Sequence, residues 1–113
     1  LCRNNPVAKS VHLPKVERAD KTAYTKEQYD LVYEFAKNHP NVYLDTSATM
    51  DFNARRAMKT SGIDKVLMGT GTPDVGFYEL ELLKVRSAAA EYPDGEAKVL
   101  YKNAARIFHL EEE

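Results

Sequence analysis

Three short runs of strand-forming residues alternate with longer amphipathic segments, and this alternation constrains the fold more than any other feature. The runs span residues 7–13, 42–47 and 65–69, and they are rich in the branched and aromatic residues that favour strands. The segments after them repeat apolar residues every three or four positions, as helices with one buried face do. Strands separated by helices pair in parallel through right-handed crossovers, so the sequence predicts an α/β fold.

The first amphipathic segment carries start and stop signals for a helix. Thr25 and Gln28 are spaced as a capping box, in which each side chain bonds the backbone N–H of the other residue. His39 and Pro40 end the helix, because a residue before proline avoids helical geometry. Four apolar residues at helical spacing are predicted to face the core: Leu31, Val32, Phe35 and Ala36.

Three further helices are predicted after the second strand. Asp51 is expected to cap a helix that runs to about Ser61 and ends at Gly62, and another helix is expected over residues 77–89. Asp94, in a Pro-Asp-Gly turn, is expected to cap the last helix. The predicted buried positions of the last two helices are Leu80, Leu83 and Val85, then Val99, Leu100, Ala104, Ile107 and Phe108.

Length, charge and cysteine content bound the class of protein. The chain has 113 residues, enough for one domain, and residues 1–113 are treated as a single α/β unit. Its net charge of −1 and its lack of a long apolar run give no reason to expect nucleic acid or a membrane as a partner. One cysteine, Cys2, allows no intrachain disulfide, so a reducing compartment, the cytoplasm, is expected.

Residues 65–73 combine a buried-strand pattern with a loop of glycine, threonine and proline. The apolar part ends at Met68, and residues 69–73 contain two glycines, two threonines and a proline. The carboxyl end of a parallel strand is where α/β proteins place ligands and chemistry. An alternative is a phosphate-binding loop at residues 69–71, although neither a full GxGxxG pattern nor a Walker lysine is present.

Three runs of the sequence resemble signatures of the amidohydrolase superfamily, in particular its amidohydrolase-related metal-dependent hydrolases and decarboxylases. Residues 40–47, PNVYLDTS in one-letter code, are similar to a run of that family that reads PNVYLDTS. Residues 65–73 are similar to its RILFGTDxP run, and residues 101–108 resemble its closing ENAxRLF helix. The three runs follow one another in the family's order and at about its spacing.

The resemblance implies that nearly all of the chain corresponds to the last three βα units of a TIM barrel, strands six to eight, plus a C-terminal helix. A complete barrel takes roughly 250 residues, so the chain would be a fragment of one. The family holds a divalent metal, zinc or a similar ion. The ligands of its first, fourth and fifth strands have no counterpart in this sequence, so we expect this chain alone to hold no metal.

Two positions of the family's metal site fall within the chain, His12 and Gly71. By the resemblance, His12 matches the sixth-strand histidine that helps to bind metal or substrate; an ordinary solvent-facing or core histidine is an equal alternative. Gly71 stands where the family has the eighth-strand aspartate that binds metal and moves a proton, so that carboxylate is missing. Asp74 could replace it only if the loop folded back, and its expected role is to cap the following helix.

Substrate-binding residues are expected where the predicted strands end, at Asp45, Ser47, Thr70 and Thr72. Asp45 and Ser47 could instead form turn or cap hydrogen bonds with the nearby backbone. His39 and His109, each near the end of a helix, are expected to be structural, because the histidines show no metal-binding spacing.

Two classes of function follow from these observations. The first is a C-terminal fragment of an amidohydrolase-type metal-dependent hydrolase, inactive alone because most metal ligands are missing. The second is a non-enzymatic α/β domain that acts through self-association or by docking to a complementary fragment, because three parallel strands leave two open edges. A binder of a small anion at residues 69–71 is a third, more distant alternative.

Overall fold

The computed structural model describes residues 24–110, which form a helix-rich α/β unit. Along the chain it has α1 (Lys26–Asn38), β1 (Leu44–Asp45), α2 (Asp51–Ser61), a 3₁₀ turn (Ile63–Lys65), β2 (Val66–Leu67) and α3 (Tyr78–Ala89). A C-terminal helical region follows, made of α4 (Gly95–Ala97), a π-helical segment (Lys98–Lys102) and α5 (Asn103–Ile107). The strand predicted at residues 7–13 lies outside the described residues.

The two strands pair in parallel, as the alternation of strands and helices predicts. The register places Leu44 opposite Val66 and, next along, Asp45 opposite Leu67. α1 joins the preceding part of the chain to β1, and α2 joins β1 to β2, so α2 is the crossover helix of a βαβ unit.

Both strands are shorter than the runs predicted at residues 42–47 and 65–69. The reason is that backbone groups on either side of the paired residues bond elsewhere. The N–H of Val42 bonds back into the turn after α1 at 3.1 Å, and the N–H of Gly69 bonds the side-chain oxygen of Thr46 at 3.2 Å in place of its carbonyl. Each of these groups is satisfied without a sheet partner, so the ladder stops after two residue pairs.

The start and end of α1 agree with the sequence. Thr25 Oγ1 accepts the Gln28 N–H at 3.2 Å, and Gln28 Oε1 accepts the Thr25 N–H at 2.8 Å. This reciprocal pair is the predicted capping box. The helix ends at Asn38, and His39 is extended before Pro40, which confirms the predicted stop.

The cap predicted at Asp51 is wrong, and Asp94 occupies the predicted N-cap position but makes no side-chain cap bond. Met50 is the N-cap of α2, and Asp51 is the first helical residue, whose carboxylate accepts from Arg55 Nε at 2.8 Å. Asp94 lies at the N-cap of α4 without a side-chain cap bond, and its carboxylate accepts from Lys102 Nζ at 2.6 Å. A nearby cationic side chain offers each carboxylate a charge-assisted bond, which is stronger than a bond to a neutral N–H.

The three long helices form one layer, with α2 packed between α1 and α3. Arg56 of α2 bonds the carboxylate of Asp30 on α1 at 2.5 Å. On the other side, Arg55 Nη2 donates to Ser87 Oγ of α3 at 2.6 Å. Buried residues of all three helices share one hydrophobic core with β2, so the layer lies against the sheet.

The core is narrower than the apolar pattern predicts. Its most deeply buried residues include Ala36, Met58, Val66, Val85, Ala89 and Val99. The core positions predicted at Ala36, Val85 and Val99 are therefore confirmed. The core predictions for Leu31, Val32, Phe35, Leu80, Leu83 and Phe108 are wrong, because each of these side chains is more than half exposed. A two-stranded sheet covers only a thin stripe of each helix, and small or branched residues fill that stripe at close approach.

The outer edge of β2 is covered by the chain's own C-terminal helical region. Successive strand residues direct their backbone groups to opposite sides, so Val66 and Met68 direct theirs away from β1. Asn103 Nδ2 donates to the carbonyls of Val66 and Ile63, both at 2.8 Å. The Met68 N–H finds its acceptor in the Val99 carbonyl. At this edge, the fully buried Asn103 amide and the Val99 carbonyl make the backbone hydrogen bonds that a third strand would otherwise make.

We expect Asn103→Ala to lower the free energy of unfolding by about 2 kcal/mol, because two backbone carbonyls lose their donor. Urea unfolding followed by circular dichroism measures the change. The control is Asn38→Ala at the exposed end of α1, which should change stability by less than about 0.5 kcal/mol. Equal effects of the two substitutions would contradict the role assigned to Asn103.

Candidate functional site

Polar side chains gather where β1 and β2 end, around the bare backbone of Gly69. Asp45 and Ser47 both place side-chain oxygens against the position that a Cβ on residue 69 would occupy, so a side chain at residue 69 would displace them. We call Asp45, Ser47 and Gly69 the strand-end cluster. The structure therefore brings two of the predicted substrate-binding residues together at the carboxyl edge of the sheet.

Within the strand-end cluster, Asp45 makes the local turn bond that was the alternative to a ligand-binding role. Its Oδ1 accepts the Ser47 N–H at 2.6 Å, as in an Asx turn. Two polar groups of the cluster, Asp45 Oδ2 and the Ser47 hydroxyl, have no hydrogen-bond partner among residues 24–110. They offer a ligand one anionic acceptor and one group that can donate or accept.

Thr46 joins the ends of the two strands from the buried side. Its Oγ1 accepts the Gly69 N–H at 3.2 Å and donates to the Gly69 carbonyl at 3.4 Å. Its carbonyl accepts from the Thr49 hydroxyl at 2.8 Å. Thr46 is only 2% exposed, so it fixes the backbone of the cluster without facing a ligand itself.

Lys84 and Glu81 form a nearly buried ion pair on α3, and Lys84 holds the loop that follows β1. Lys84 Nζ donates to the carbonyls of Thr46 at 2.9 Å and Thr49 at 3.0 Å. The same ammonium pairs with Glu81, and the two side chains are only 11% and 12% exposed. Glu81 Oε2 has no well-directed hydrogen bond among the described residues, so the charge of Lys84 is what compensates its burial.

Sequence reasoning missed the pair of Glu81 and Lys84. Their spacing of three residues is that of an ordinary exposed ion pair on a helix surface, and nothing in the local sequence distinguishes a buried one. The only available signal was their position on the same helical face as Val85, which is buried.

The loop after β2 is closed by its own hydrogen bonds. Thr70 Oγ1 accepts the Thr72 N–H at 3.2 Å, and Thr72 Oγ1 donates to the Gly76 carbonyl at 3.0 Å. The Val75 N–H donates to the Gly71 carbonyl at 2.9 Å. Both predicted substrate-binding threonines, at positions 70 and 72, therefore have partners within the loop.

Gly71 adopts a backbone conformation that disfavours any other residue. Its φ of +63° lies in the left-handed region, where a side chain is strained. A Cβ at this position would also overlap Cγ2 of Val75. The glycine at the expected aspartate position is thus built into the loop, and a carboxylate does not fit there without rearrangement.

The residues described do not by themselves fit a divalent metal. No group of three or more His, Cys, Asp or Glu side chains that could hold an ion lies within residues 24–110. His12, the predicted ligand, lies outside this range. Asp74 is exposed, and its predicted capping role is wrong because α3 begins at Tyr78, after an N-cap at Phe77 that makes no side-chain bond.

The two described histidines occupy structural positions. His39 Nδ1 lies 2.7 Å from the Phe35 carbonyl, which can only accept, so Nδ1 carries the proton. The His39 ring also stacks on Phe35 with centroids 3.8 Å apart. His109 is exposed at the end of α5 with a φ of +54°. The contacts of His39 agree with the structural role expected for it, and the role expected for His109 stays a prediction.

A groove of about 290 Å³ separates α1 and α2 from β1. Apolar and aromatic side chains form most of its walls: Tyr29, Val32, Tyr33, Leu44, Ala54 and Ala57. The Tyr33 hydroxyl donates to the Asn53 carbonyl at 3.3 Å. Burial raises the pKa of Tyr33 above its usual value, with the Arg56 guanidinium acting in the opposite sense, so the hydroxyl stays protonated at neutral pH. We call this feature the α1–β1 groove.

Together the fold and the site define a helix-rich α/β unit with a polar strand-end cluster and an apolar groove beside its sheet. Comparison of the chain with known protein families, with curated proteins and with solved structures found no match. The resemblance to amidohydrolases therefore rests on the three sequence runs alone. In the part of the chain that the structure describes, no helix has the length and apolar character needed to cross a membrane.

Gly71→Ala should lower the free energy of unfolding by about 2 kcal/mol, through left-handed backbone strain and overlap with Val75. Adding Val75→Ala removes the overlap and should return roughly 1 kcal/mol of that loss. The control is Gly62→Ala, which is also strained at φ +97° but has open space around its Cβ. Urea unfolding of all single and double variants measures the coupling. The same response to Val75→Ala in both glycine variants would show that the overlap is absent.

Proposed function

We propose that this chain forms part of the wall of an amidohydrolase-type metal-dependent hydrolase and does not catalyse hydrolysis by itself. The parallel strands joined by helices and the runs at residues 40–47, 65–73 and 101–108 support this assignment. In such a wall, the carboxyl ends of the strands face the substrate. The strand-end cluster lies at that edge.

The observation that carries the proposal is the left-handed backbone of Gly71 against Val75. A hydrolase of this type needs a carboxylate at this strand end to hold metal and move the proton of the attacking water. A glycine occupies that position, and a side chain there would adopt a strained backbone conformation and displace Val75. The chain can therefore shape a binding site but lacks the group that would perform the chemistry.

The role left for the strand-end cluster is to position substrate. Asp45 Oδ2 accepts a hydrogen bond from an N–H or O–H group of a bound molecule, and the Ser47 hydroxyl donates to a carbonyl. The bond from the Ser47 N–H holds the Asp45 carboxylate in place. Any metal would need ligands from outside residues 24–110, and His12 is the one that the resemblance to amidohydrolases implies.

Calorimetric titration of the full chain with Zn²⁺ should show no stoichiometric sub-micromolar binding, because the strand-end cluster offers only one carboxylate. Asp45→Asn should leave the weak residual heats unchanged. A tight zinc site in the unmodified chain would overturn the statement that it is catalytically incomplete.

Separately, the reading frame upstream of Leu1 should encode a His-x-His pair, and a frame without one would contradict the hydrolase assignment.

A second candidate function is self-association through an apolar surface on the helix layer. Leu80 and Leu83 are 62% and 64% exposed, and they precede Ser87 by two turns and one turn of α3. Because Ser87 bonds Arg55, this side of α3 adjoins α2, where Phe52 is 60% exposed one turn before Arg55. We call Phe52, Leu80 and Leu83 the α2–α3 apolar surface. Large apolar side chains grouped in this way mark contact surfaces, and a second copy of the chain is the partner we propose.

Sedimentation equilibrium should find a reversible dimer that Leu83→Glu weakens at least about tenfold, because a charge would have to be buried at the contact. Leu31→Glu is the matched control, since Leu31 is 70% exposed on α1, away from the α2–α3 apolar surface. It should leave the dissociation constant unchanged. A monomeric unmodified chain at high concentration, or equal weakening by both variants, would rule out this contact.

A further inference from the structure

The C-terminal helical region closes the outer edge of β2 with two groups that bond on either side of Leu67. Asn103 Nδ2 donates to the Val66 carbonyl at 2.8 Å, and the Val99 carbonyl accepts the Met68 N–H at 3.1 Å. Leu67 itself directs its carbonyl to the opposite side, toward β1. The outer edge therefore presents one acceptor, at Val66, and one donor, at Met68.

The Val99 carbonyl can reach β2 because the helix is in the π register at this point. In an α-helix, the N–H of residue 103 would bond the carbonyl four residues back, which is that of Val99. In the π-helical segment, the Asn103 N–H instead bonds the Lys98 carbonyl, five residues back. The Met68 N–H takes the place of this missing donor. The α register of the helix and the closed edge of β2 therefore compete for the same carbonyl.

The π register is an uncommon means of closing a strand edge. π-helices are rare, occur mostly as single turns inside α-helices, and are frequent at functional sites. Here the π-helical segment is five residues long and joins α4 to α5. Val99 is only 1% exposed and Asn103 is fully buried, so both of the residues that close the edge belong to the core.

The acceptor and the donor at this edge are complementary to themselves under a two-fold axis. If two copies of β2 run antiparallel with Leu67 opposite Leu67, the Met68 N–H of each copy meets the Val66 carbonyl of the other. Each group then has the same kind of partner as in the closed edge. An interface of this type is isologous, which is the commonest arrangement in soluble oligomers.

We propose that the outer edge of β2 is a latent contact surface for a second copy of this chain, and that the π-helical segment keeps it closed. The edge opens when the helix returns to the α register and the Asn103 amide leaves the Val66 carbonyl. Met68 then loses its acceptor, and the Val66 carbonyl of the second copy replaces it. This contact is separate from the α2–α3 apolar surface, and it does not depend on the chain being part of a hydrolase.

Deleting Tyr101 tests the role of the π register. Tyr101 lies within the π-helical segment and is 52% exposed, so the deletion shortens the wide turn without emptying the core. Ala104 then stands four positions beyond Val99, and its N–H can bond the Val99 carbonyl as in an α-helix. At low protein concentration, hydrogen exchange at the Met68 amide should become at least about tenfold faster than in the unmodified chain.

Tyr101→Ala is the matched control for the deletion. It removes the same exposed side chain and keeps the number of residues in the π-helical segment. Hydrogen exchange at the Met68 amide should therefore stay as slow as in the unmodified chain.

Cross-linking at position 67 tests the contact between copies. In antiparallel strands, two opposite residues that share no hydrogen bond have Cα atoms about 4.5 Å apart, within the range of a disulfide. The background carries Cys2→Ser, which removes the native thiol, and Leu83→Glu, which weakens the contact through the α2–α3 apolar surface. In this background under mild oxidation, Leu67→Cys should form covalent dimers at least about tenfold faster with Tyr101 deleted than with Tyr101→Ala.

Lys65→Cys is the control for register. With Leu67 opposite Leu67, the two copies of residue 65 lie four residues apart, roughly 13 Å along the strands at about 3.4 Å per residue. That distance is beyond the reach of a disulfide, so Lys65→Cys should not form covalent dimers faster when Tyr101 is deleted.

A second variant, Asn103→Ala, keeps the proposal testable if circular dichroism shows that the deletion variant does not fold. It leaves residues 98–102 unchanged and removes the donor from the Val66 carbonyl, which is the other half of the edge. In the same background, it should speed cross-linking of Leu67→Cys at least about threefold and leave Lys65→Cys unaffected.

Three results would overturn the proposal. Unchanged exchange at the Met68 amide after deletion of Tyr101 would mean that the π register does not close the edge. Equal cross-linking at positions 65 and 67 would mean that the copies meet without the antiparallel register. A rate at position 67 that does not rise in the opened variants would mean that the edge does not pair with a second copy.

Discussion

The described part of the chain depends on how the outer edge of β2 is satisfied. Two strands of two residues each cannot hold a fold together alone. The Asn103 amide bonds the Val66 carbonyl, and the Val99 carbonyl accepts the N–H of Met68. These bonds bring the C-terminal helical region against the sheet and close the core around Val66. Because that edge is taken, the sheet can grow only beyond β1.

In the strand-end cluster and the loops beside it, most polar groups already form hydrogen bonds that hold the backbone, so few are left for a ligand. Thr46 and Lys84 hold the loop after β1, and the threonines after β2 hold their own loop. Within the cluster, Asp45 Oδ2 and the Ser47 hydroxyl have no partner among residues 24–110. With glycine at position 71, the site has groups that can orient a ligand and lacks the carboxylate expected there. This balance is why the chain is proposed as part of a larger active site.

The two uncovered apolar features differ in kind, and the difference sets what each can bind. The α1–β1 groove combines apolar walls with the N–H and C=O of Asp45, which point away from β2, so it suits an extended segment. The α2–α3 apolar surface presents only side chains of helices, such as Leu80 and Leu83, so it suits another packed helix face.

Within residues 24–110, the sequence by itself determined the order of the long helices and the strands, the parallel pairing, and the start of α1 after its N-cap Thr25, because capping and periodicity are local properties. It also placed Asp45 and Ser47 at a strand end, where their side chains meet. Only the tertiary structure decided how long the strands are, since that depends on which other group, such as the Thr46 hydroxyl at the Gly69 N–H, competes for each backbone bond. It likewise decided that the charged Lys84 is nearly buried while the apolar Leu80 and Leu83 of α3 face water. Burial depends on what packs against a helix, and helical spacing cannot tell which of its faces will be covered.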